Sequence, residues 1–273
     1  MIKRLLKLLL RKLYKMNIVH YKYLEEPYFF IRPNKKRIRA LKNKYKGERC
    51  FLIGNGPSLN KIDIAKLGKE YSFGVNGIFY KTRETGFSPY FYVVEDSSVM
   101  NDNRSEINNY ETPYKFFPTM YKQYIDNKSD VILFNMNRGF YEEKSPNYCI
   151  PRFSTDCSEK IYCGQSVTTI NLQLAYYMGF DKVYLIGMDF DYKIPKSAIV
   201  DGKDILSTED DPNHFHPEYF GKGKSWHDPK LENVLMNYKL GDMIYQNSNK
   251  KIINATFGGK LEIFPRVEFN SLF

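Results

Sequence analysis

Residues 50–59 of this 273-residue chain read CFLIGNGPSL, and this stretch decides the fold. Its first four residues are apolar, which is typical of a buried strand. Gly54 and Gly56 then let the backbone turn tightly and approach a ligand. Ser58 is placed to cap the helix that follows, where free N–H groups favour an anion. Open α/β sheets hold nucleotide phosphates at such a strand, glycine turn and helix, although an ordinary strand-to-helix connection uses the same residues.

From residue 49 onward the chain alternates between strand and helix patterns. Strands are predicted over 71–75, 90–94, 131–134, 182–186 and 251–255, and helices over 168–178 and 229–240. This alternation favours a parallel sheet with crossover helices. We therefore predict an α/β fold in which 49–273 form a Rossmann-like, mostly parallel sheet flanked by helices. Residues 1–48 are expected to form a separate basic arm.

Charge is unevenly distributed along the chain. Residues 1–50 hold 16 Lys/Arg and three Glu, whereas the remaining 223 residues hold 25 Lys/Arg and 28 Asp/Glu. Because the body is nearly neutral, the composition argues against a nucleic-acid-binding core and predicts no nucleic-acid partner. It favours a basic segment that is attracted to an anionic surface.

Residues 1–16 have the pattern of an amphipathic helix. One face carries Ile2, Leu5, Leu6, Leu9, Leu10, Leu13 and Met16. The other face carries Lys3, Arg4, Lys7, Arg11 and Lys15, with Leu8 as the exception. Charges interrupt the apolar residues throughout, so the segment is not a signal peptide. We predict that it lies on an anionic membrane surface, with docking on the protein's own core or on a second subunit of a homo-oligomer as the alternative.

The cysteine pattern and the hydropathy bear on location. The four cysteines form no C-x-x-C pair and lack zinc-type spacing, so free thiols in a reducing cytoplasm are expected. No apolar run approaches the ~20 residues of a transmembrane helix. The expected location is cytoplasmic and peripheral, on the inner face of the membrane.

Polar residues follow the predicted strands or open the next helix. Asn76 offers a donor and an acceptor to a base or ribose, and Asp96 can accept from a ribose hydroxyl or hold a metal. Gln165, Ser166 and Thr168 open the helix over 168–178, where hydroxyl groups are good phosphate or sugar ligands. Turn chemistry and simple N-capping explain the same residues without a ligand.

Two acidic residues form an Asp-x-Asp pair after the strand over 182–186. Asp189 and Asp191 face the same way if the chain stays extended there. Such a pair can bind a divalent cation that bridges a nucleotide diphosphate. The sequence therefore includes Mg²⁺ among the expected cofactors.

Residues 193–226 are polar and are predicted to be a long loop that covers the site as a lid. His214, His216 and His227 lie in it or at its end, without a recognised zinc spacing. A single catalytic histidine fits better, because histidine titrates near neutrality and suits general-base work. His227 is preferred, since the helix over 229–240 would hold it firmly, while surface polar residues are the alternative for all three.

Two longer stretches resemble known families. The run 51–59 with Ile62-Asp63, and the residues from Ser166 to Phe190, resemble the bacterial CMP-sialate-using sialyltransferases that decorate lipooligosaccharide. The same signatures occur in the broader 6-hydroxymethylpterin diphosphokinase-like (MptE-like) family. The residues 86–96 and 254–266 look most like that broader group.

The sialyltransferase resemblance implies roles for individual residues. Asn55 and Gly56 would contact the donor phosphate and sugar, Asn76 the nucleotide, and Ser166 the substrate. His227 aligns with the catalytic base. Those enzymes use tyrosines to assist the leaving phosphate, and here Asp191 stands at the first such position and Tyr192 follows. That acidic residue departs from their metal-independent pattern and leaves a nucleoside diphosphate sugar as a further donor.

The resulting prediction is a glycosyltransferase. It would move a sugar, sialic acid or a related nonulosonate, from a nucleotide-activated donor, with CMP favoured, to a glycan or glycolipid acceptor. One alternative is a diphosphokinase that transfers pyrophosphate from ATP to a pterin alcohol, with Asp96, Asp189 and Asp191 around Mg²⁺. The other is a non-catalytic nucleotide-binding scaffold.

Overall fold

The computed structural model describes residues 2–16, 20–202 and 204–273. Its strands are β1 Arg49–Ile53, β2 Tyr71–Val75, β3 Phe91–Val93, β4 Tyr114–Pro118, β5 Val131–Phe134, β6 Met136–Asn137, β7 Ile161–Tyr162, β8 Lys182–Ile186, β9 Ile199–Asp201, β10 Asp204–Leu206, β11 Ser225–His227 and β12 Lys251–Asn254. Its α-helices are α1 Ile2–Lys15, α2 Lys22–Glu25, α3 Lys35–Arg39, α4 Phe79–Thr85, α5 Ser97–Asp102, α6 Arg104–Asn109, α7 Val167–Met178 and α8 Leu231–Asn247. Short 3₁₀ helices cover Pro57–Lys61, Ile64–Lys69, Thr119–Tyr121, Gly139–Tyr141 and Phe269–Leu272.

A seven-stranded parallel sheet forms the centre of the molecule. Its strand order is β12-β8-β1-β2-β3-β4-β5, and every neighbouring pair runs parallel. The chain proceeds from β1 toward β5 on one side and resumes with β8 on the other. The strand order therefore reverses between β1 and β8, which is where open α/β sheets form a ligand crevice. The predicted α/β fold with a mostly parallel sheet is confirmed.

Both faces of this sheet are covered, as continuous apolar strands require. Along β1, Cys50 and Leu52 face one buried cluster together with residues of α7 and α8. Phe51 and Ile53 face a second cluster together with the 3₁₀ helices and α4. Because successive side chains point to opposite faces, each strand anchors two layers at once.

The connection after β1 differs from the single helix that was predicted. It consists of two 3₁₀ helices, Pro57–Lys61 and Ile64–Lys69. The carboxylate of Asp63 accepts a hydrogen bond from the N–H of Ala65 at 3.1 Å and so starts the second helix. This cap interrupts the chain before a longer α-helix can form.

The expected boundary at residue 48 does not separate an arm from the domain. Ile38, Leu41 and Tyr45 are buried in the same core cluster as β1. The side chain of Asn34 accepts from the N–H of Leu133 at 2.6 Å, which ties this segment to β5. Described residues from 20 onward are therefore part of the folded body.

Helix α1 rests on this body by one side. Leu10 is buried, and the Arg11 guanidinium pairs with Glu142 at 2.8 Å. Leu5, Leu8 and Leu9 are 57%, 53% and 51% exposed. Within the described part of the chain, no helix has the length and apolar composition needed to cross a bilayer.

The region predicted as a long loop over 193–226 carries structure of its own. Strands β9, β10 and β11 form a small antiparallel sheet. Ile205, Phe215 and Trp226 are buried in the second core cluster. The N–H of Phe215 donates to the Asn55 carbonyl at 2.8 Å, so this region packs against the turn that follows β1.

Candidate functional site

A cavity of about 590 Å³ lies at the carboxyl ends of β1, β2, β3 and β8, at the point where the strand order reverses. Twelve of the residues predicted for the site line it: Gly54, Asn55, Gly56, Asn76, Asp96, Gln165, Ser166, Thr168, Asp189, Asp191, Tyr192 and His227. Ser58 is the predicted residue outside the lining. The fold thus brings together residues that are more than 170 positions apart in the chain, while their individual roles stay predictions.

The glycines of the turn after β1 lie against other atoms of the protein. The phosphate-binding position that was expected at this turn is therefore largely occupied. The N–H groups of Gly54 and Gly56 donate to the carbonyls of Ile186 and Gly187 at 2.8 and 2.9 Å. A Cβ added at Gly56 would overlap Oδ2 of Asp189. Glycine is needed here because the loop after β8 packs directly on the turn.

Ser58 does not cap a helix in the way that the sequence predicted. Its N–H and hydroxyl groups both donate to the carboxylate of Asp189, at 3.1 and 2.6 Å. Burial raises the pKa of Asp189, and these hydrogen bonds oppose the shift. The anion at this backbone turn is therefore a carboxylate of the protein itself.

The predicted polar residues at the strand ends are held by local hydrogen bonds. Asn55 donates from Nδ2 to the Val75 carbonyl at 3.1 Å and to the Tyr219 hydroxyl at 2.9 Å. Asn76, at a positive φ of 47°, accepts from the N–H of Glu95 at 3.3 Å. These contacts fix both amides at the floor of the cavity.

Two further predicted residues act as helix caps. Asp96 accepts from the N–H groups of Ser98 and Val99 at 2.7 and 2.9 Å at the start of α5. Ser166 accepts from the N–H of Thr168 at 3.2 Å at the start of α7. Both side chains also line the cavity, so capping and a ligand contact are compatible.

The Asp-x-Asp pair is split between different partners. Asp191 pairs with Lys260 at 2.8 Å, and that hydrogen bond lowers its pKa. Asp189 is bound by Ser58, as described above. No group of three or more His, Cys, Asp or Glu side chains among the described residues is arranged to hold a metal ion. The arrangement gives the predicted Mg²⁺ no preformed protein cage.

His227 lies at the end of β11, and α8 begins at Leu231, so the histidine does not open a helix as predicted. Its position comes from pairing with β10, where Asp204 is its partner in register. Nδ1 of His227 lies 2.7 Å from Oδ1 of Asp204. Because a carboxylate only accepts, this approach favours the tautomer with the proton on Nδ1, which leaves Nε2 as the accepting nitrogen.

A second pair is more deeply buried, and the sequence named its histidine among three candidates but not its aspartate. Nδ1 of His214 lies 2.7 Å from Oδ2 of Asp211, and the His214 ring stacks on Tyr219 with centroids 4.0 Å apart. Nε2 of His214 lies 3.4 Å from the Tyr192 hydroxyl. Burial would raise the pKa of Asp211, but hydrogen bonds from His214 and two backbone N–H groups lower it below its ordinary value.

Glu95 and Arg138 also line the cavity and were not predicted as site residues. Burial raises the pKa of Glu95 to about 7, against the opposing charge of Arg138. The sequence signal for Glu95 was its place directly after β3, beside Asp96. Arg138 had no signal, because it follows the short strand β6, which lies outside the main sheet.

The fold and the site together define a doubly wound parallel α/β protein with a polar, aromatic-lined pocket at its switch point. Residues 28–195 match the family model described as 6-hydroxymethylpterin diphosphokinase MptE-like. Since this match covers more than half of the sequence, the chain belongs to the MptE-like family.

Among solved structures, the chain is similar to the MAf glycosyltransferase from Magnetospirillum magneticum AMB-1. The TM-score is 0.49 and the sequence identity is 13% over 89% of this chain. The likeness spans 40% of that longer chain. No curated protein matches the sequence.

Proposed function

We propose that this protein is a glycosyltransferase that uses a nucleotide-activated sugar, with CMP as the favoured nucleotide. The observation that carries the proposal is the position of His227, which lies in the wall of a cavity at the switch point of the sheet and has Asp204 2.7 Å from its Nδ1. That position suits a nucleotide. The pair supplies a general base whose free nitrogen can reach an acceptor hydroxyl.

In the proposed reaction, Nε2 of His227 removes the proton from the acceptor hydroxyl. The acceptor oxygen forms a bond to the anomeric carbon, and the bond from that carbon to the donor phosphate oxygen breaks. The phosphate leaves with the bonding electron pair. Tyr192 donates a hydrogen bond to it, since desolvation raises the pKa of this phenol and keeps it protonated. Asp204 is a positioning residue that sets the tautomer of His227.

The second candidate is pyrophosphate transfer from ATP to 6-hydroxymethylpterin, which the family description favours. That reaction would rely on Mg²⁺ held by Asp96, Asp189 and Asp191 together with the phosphates. Each of these carboxylates is already engaged, by α5, Ser58 and Lys260 respectively. This engagement supports the transfer of a sugar over the transfer of pyrophosphate.

Thermal-shift titrations with CMP, CDP, UDP and ATP, each in Mg²⁺ and in EDTA, test the choice. Stabilisation by CMP in EDTA is the expected result, followed by release of CMP when the protein is incubated with CMP-sialate and candidate acceptors. Stabilisation by ATP in Mg²⁺ alone would support the diphosphokinase. Stabilisation by a nucleotide without any turnover would leave the non-catalytic scaffold, and a protein that responds to no nucleotide would contradict all three functions.

We also propose that the acceptor is lipid-linked and that α1 holds the enzyme on an anionic membrane. Leu5, Leu8 and Leu9 form an exposed apolar stripe, with Lys12 and Lys15 beside them. Phe29 and Phe30 are also exposed. Apolar insertion together with attraction of lysines to acidic headgroups is the chemistry of an interfacial helix. The stripe is close to the site because Arg11 of the same helix lines the cavity.

Vesicle co-sedimentation tests this surface without reference to activity. Binding to phosphatidylcholine vesicles containing 30% phosphatidylglycerol is expected, with little binding to pure phosphatidylcholine and weakening in high salt. The triple variant Leu5→Ser, Leu8→Ser, Leu9→Ser should lose binding. The double variant Met243→Ser, Phe257→Ser is the control, since both residues are equally exposed elsewhere. Equal binding of the triple variant and the wild type would contradict the proposal.

A further inference from the structure

Arg138 places a guanidinium in the wall of the cavity, just before the 3₁₀ helix Gly139–Tyr141. Its Nη1 lies 3.4 Å from the sulfur of Met120, and its guanidinium lies over the Tyr141 ring at 5.4 Å. Neither neighbour is an anion. Among the described residues, no ion pair involves Arg138.

Several other arginines of the described body have a carboxylate partner, whereas Arg37 and Arg104 donate to backbone carbonyls. Arg49 pairs with Glu70 at 2.6 Å, Arg152 with Glu25 at 3.5 Å, and Arg266 with Glu262 at 2.8 Å. A desolvated charge is costly when no opposite charge compensates it. A guanidinium that faces a cavity without a carboxylate partner is therefore suited to an anion brought by a ligand.

The remaining charges of the cavity strengthen this assignment. The described cationic side chains in its lining are Arg11, Arg138 and Lys230. Arg11 is held by Glu142 at the rim, and Lys230 is exposed. The lining also carries six acidic side chains that would repel an anionic donor: Glu95, Asp96, Glu143, Asp189, Asp191 and Asp228. A cation in the wall offsets this repulsion, and Arg138 is the one of the three that is neither paired with a carboxylate nor exposed.

Glu95 also lines the cavity, and its charge acts on Arg138. The two side chains form no ion pair within 4 Å among the described contacts. Glu95 therefore does not occupy the N–H groups of the Arg138 guanidinium.

We propose that Arg138 is an anion-binding residue of the cavity, which takes an oxyanion of the donor through paired N–H···O hydrogen bonds. The planar guanidinium suits either a phosphate or a carboxylate. The oxyanion is the nucleotide phosphate or the carboxylate of an acidic sugar, and this inference rests on the proposed function. In this proposal Arg138 neutralises the negative charge of the donor, a role that a divalent cation has in other transferases.

Isothermal titration in EDTA tests the assignment with three ligands. CMP carries the phosphate, N-acetylneuraminic acid carries the carboxylate, and cytidine carries neither. The variants are Arg138→Met and Arg138→Lys, with Arg83→Met as the control because Arg83 pairs with Glu106 outside the cavity. Thermal unfolding verifies that each variant is folded. If Arg138→Met does not fold, Arg138→Lys, which keeps the charge, is titrated in its place.

The expected result is a loss of at least tenfold in affinity for one anion in Arg138→Met, a smaller loss in Arg138→Lys, and none in the control. Loss for CMP identifies the phosphate, and loss for the sugar identifies the carboxylate. If the wild type binds CMP or the sugar and both Arg138 variants bind them equally well, this inference is wrong while the nucleotide pocket stands. If the wild type binds none of the three ligands, the inference and the proposed function fall together.

Discussion

Two histidines in the cavity wall each lie beside an aspartate, in opposite surroundings. The His227–Asp204 and His214–Asp211 distances are both 2.7 Å, and the second contact is a hydrogen bond. The first pair is about half exposed, at 47% and 56%, whereas the second is 8% and 3% exposed. In the proposed reaction the exposed first pair exchanges a proton with the substrate, whereas stacking and backbone hydrogen bonds fix the second pair. The two pairs therefore have the same N···O distance but different predicted roles. The first takes part in proton transfer, and the second holds the cavity wall in place.

The strongest test of this contrast is His227→Ala. A general base contributes roughly 10²–10⁴ in rate, so turnover should fall by about that factor while nucleotide binding and stability persist. His216→Ala is the matched control, because His216 packs against Tyr80 outside the cavity lining. Steady-state kinetics of donor turnover provide the measurement. Retained turnover in His227→Ala would remove it as the base.

Asp211→Asn should affect stability instead. The carboxylate accepts from the N–H groups of Asn213 and Phe220 as well as from His214, and hydrogen bonds to a buried charge are worth about 2 kcal/mol. Urea unfolding should show a loss of about that size. An unchanged midpoint, combined with a large loss of turnover, would show that the buried pair is catalytic and would reverse the two roles.

The same aspartate predicts a dependence of stability on pH. Its pKa is lower in the folded protein than the ordinary value near 3.9, so it stabilises the fold above that value. The contribution is lost as the pH falls through the lowered pKa. The difference in unfolding free energy between wild type and Asp211→Asn should thus be full at pH 6 and shrink below about pH 4. A difference that grows on acidification would contradict the assignment.

The smallest effect is expected for Asp204→Asn. Asp204 acts through His227 and is exposed, so its loss should lower kcat by about tenfold, or ~1.4 kcal/mol, with little change in KM. The variant Asp204→Glu, which keeps a carboxylate beside His227, should retain more of the activity. Equal kcat losses in Asp204→Asn and Asp204→Glu would contradict a role of this carboxylate in positioning His227.

The sequence predicted residues of the cavity lining where a polar residue directly follows an apolar run. Asn76, Asp96 and Asp189 could be selected because polar residues directly after apolar runs reach the carboxyl edge of a parallel sheet. Asp204 and Asp211 could not be selected in this way, since both lie in the polar region over 193–226, which has no apolar periodicity. Their partners became apparent when β10 paired with β11 and Asp211 folded back onto His214.

The turn after β1 shows most clearly what the local sequence could not predict. Gly54, Gly56 and Ser58 have the composition of a phosphate loop, yet backbone carbonyls and the Asp189 carboxylate satisfy most of their donors. Local composition specifies that a close approach occurs. It does not specify which group approaches, because that group comes from the loop after β8, 131 residues away from Ser58.

The sequence by itself determined the parallel α/β sheet, the amphipathic pattern of residues 1–16 and the strand-end positions of most pocket residues. These features follow from periodicity and turn chemistry, which act over a few residues. The tertiary structure alone decided that Asp189 fills the glycine turn, that two aspartates orient two histidines, and that Arg138 faces the cavity without a carboxylate partner. Such contacts join distant segments, and their free energy depends on distance and burial that only the folded chain sets.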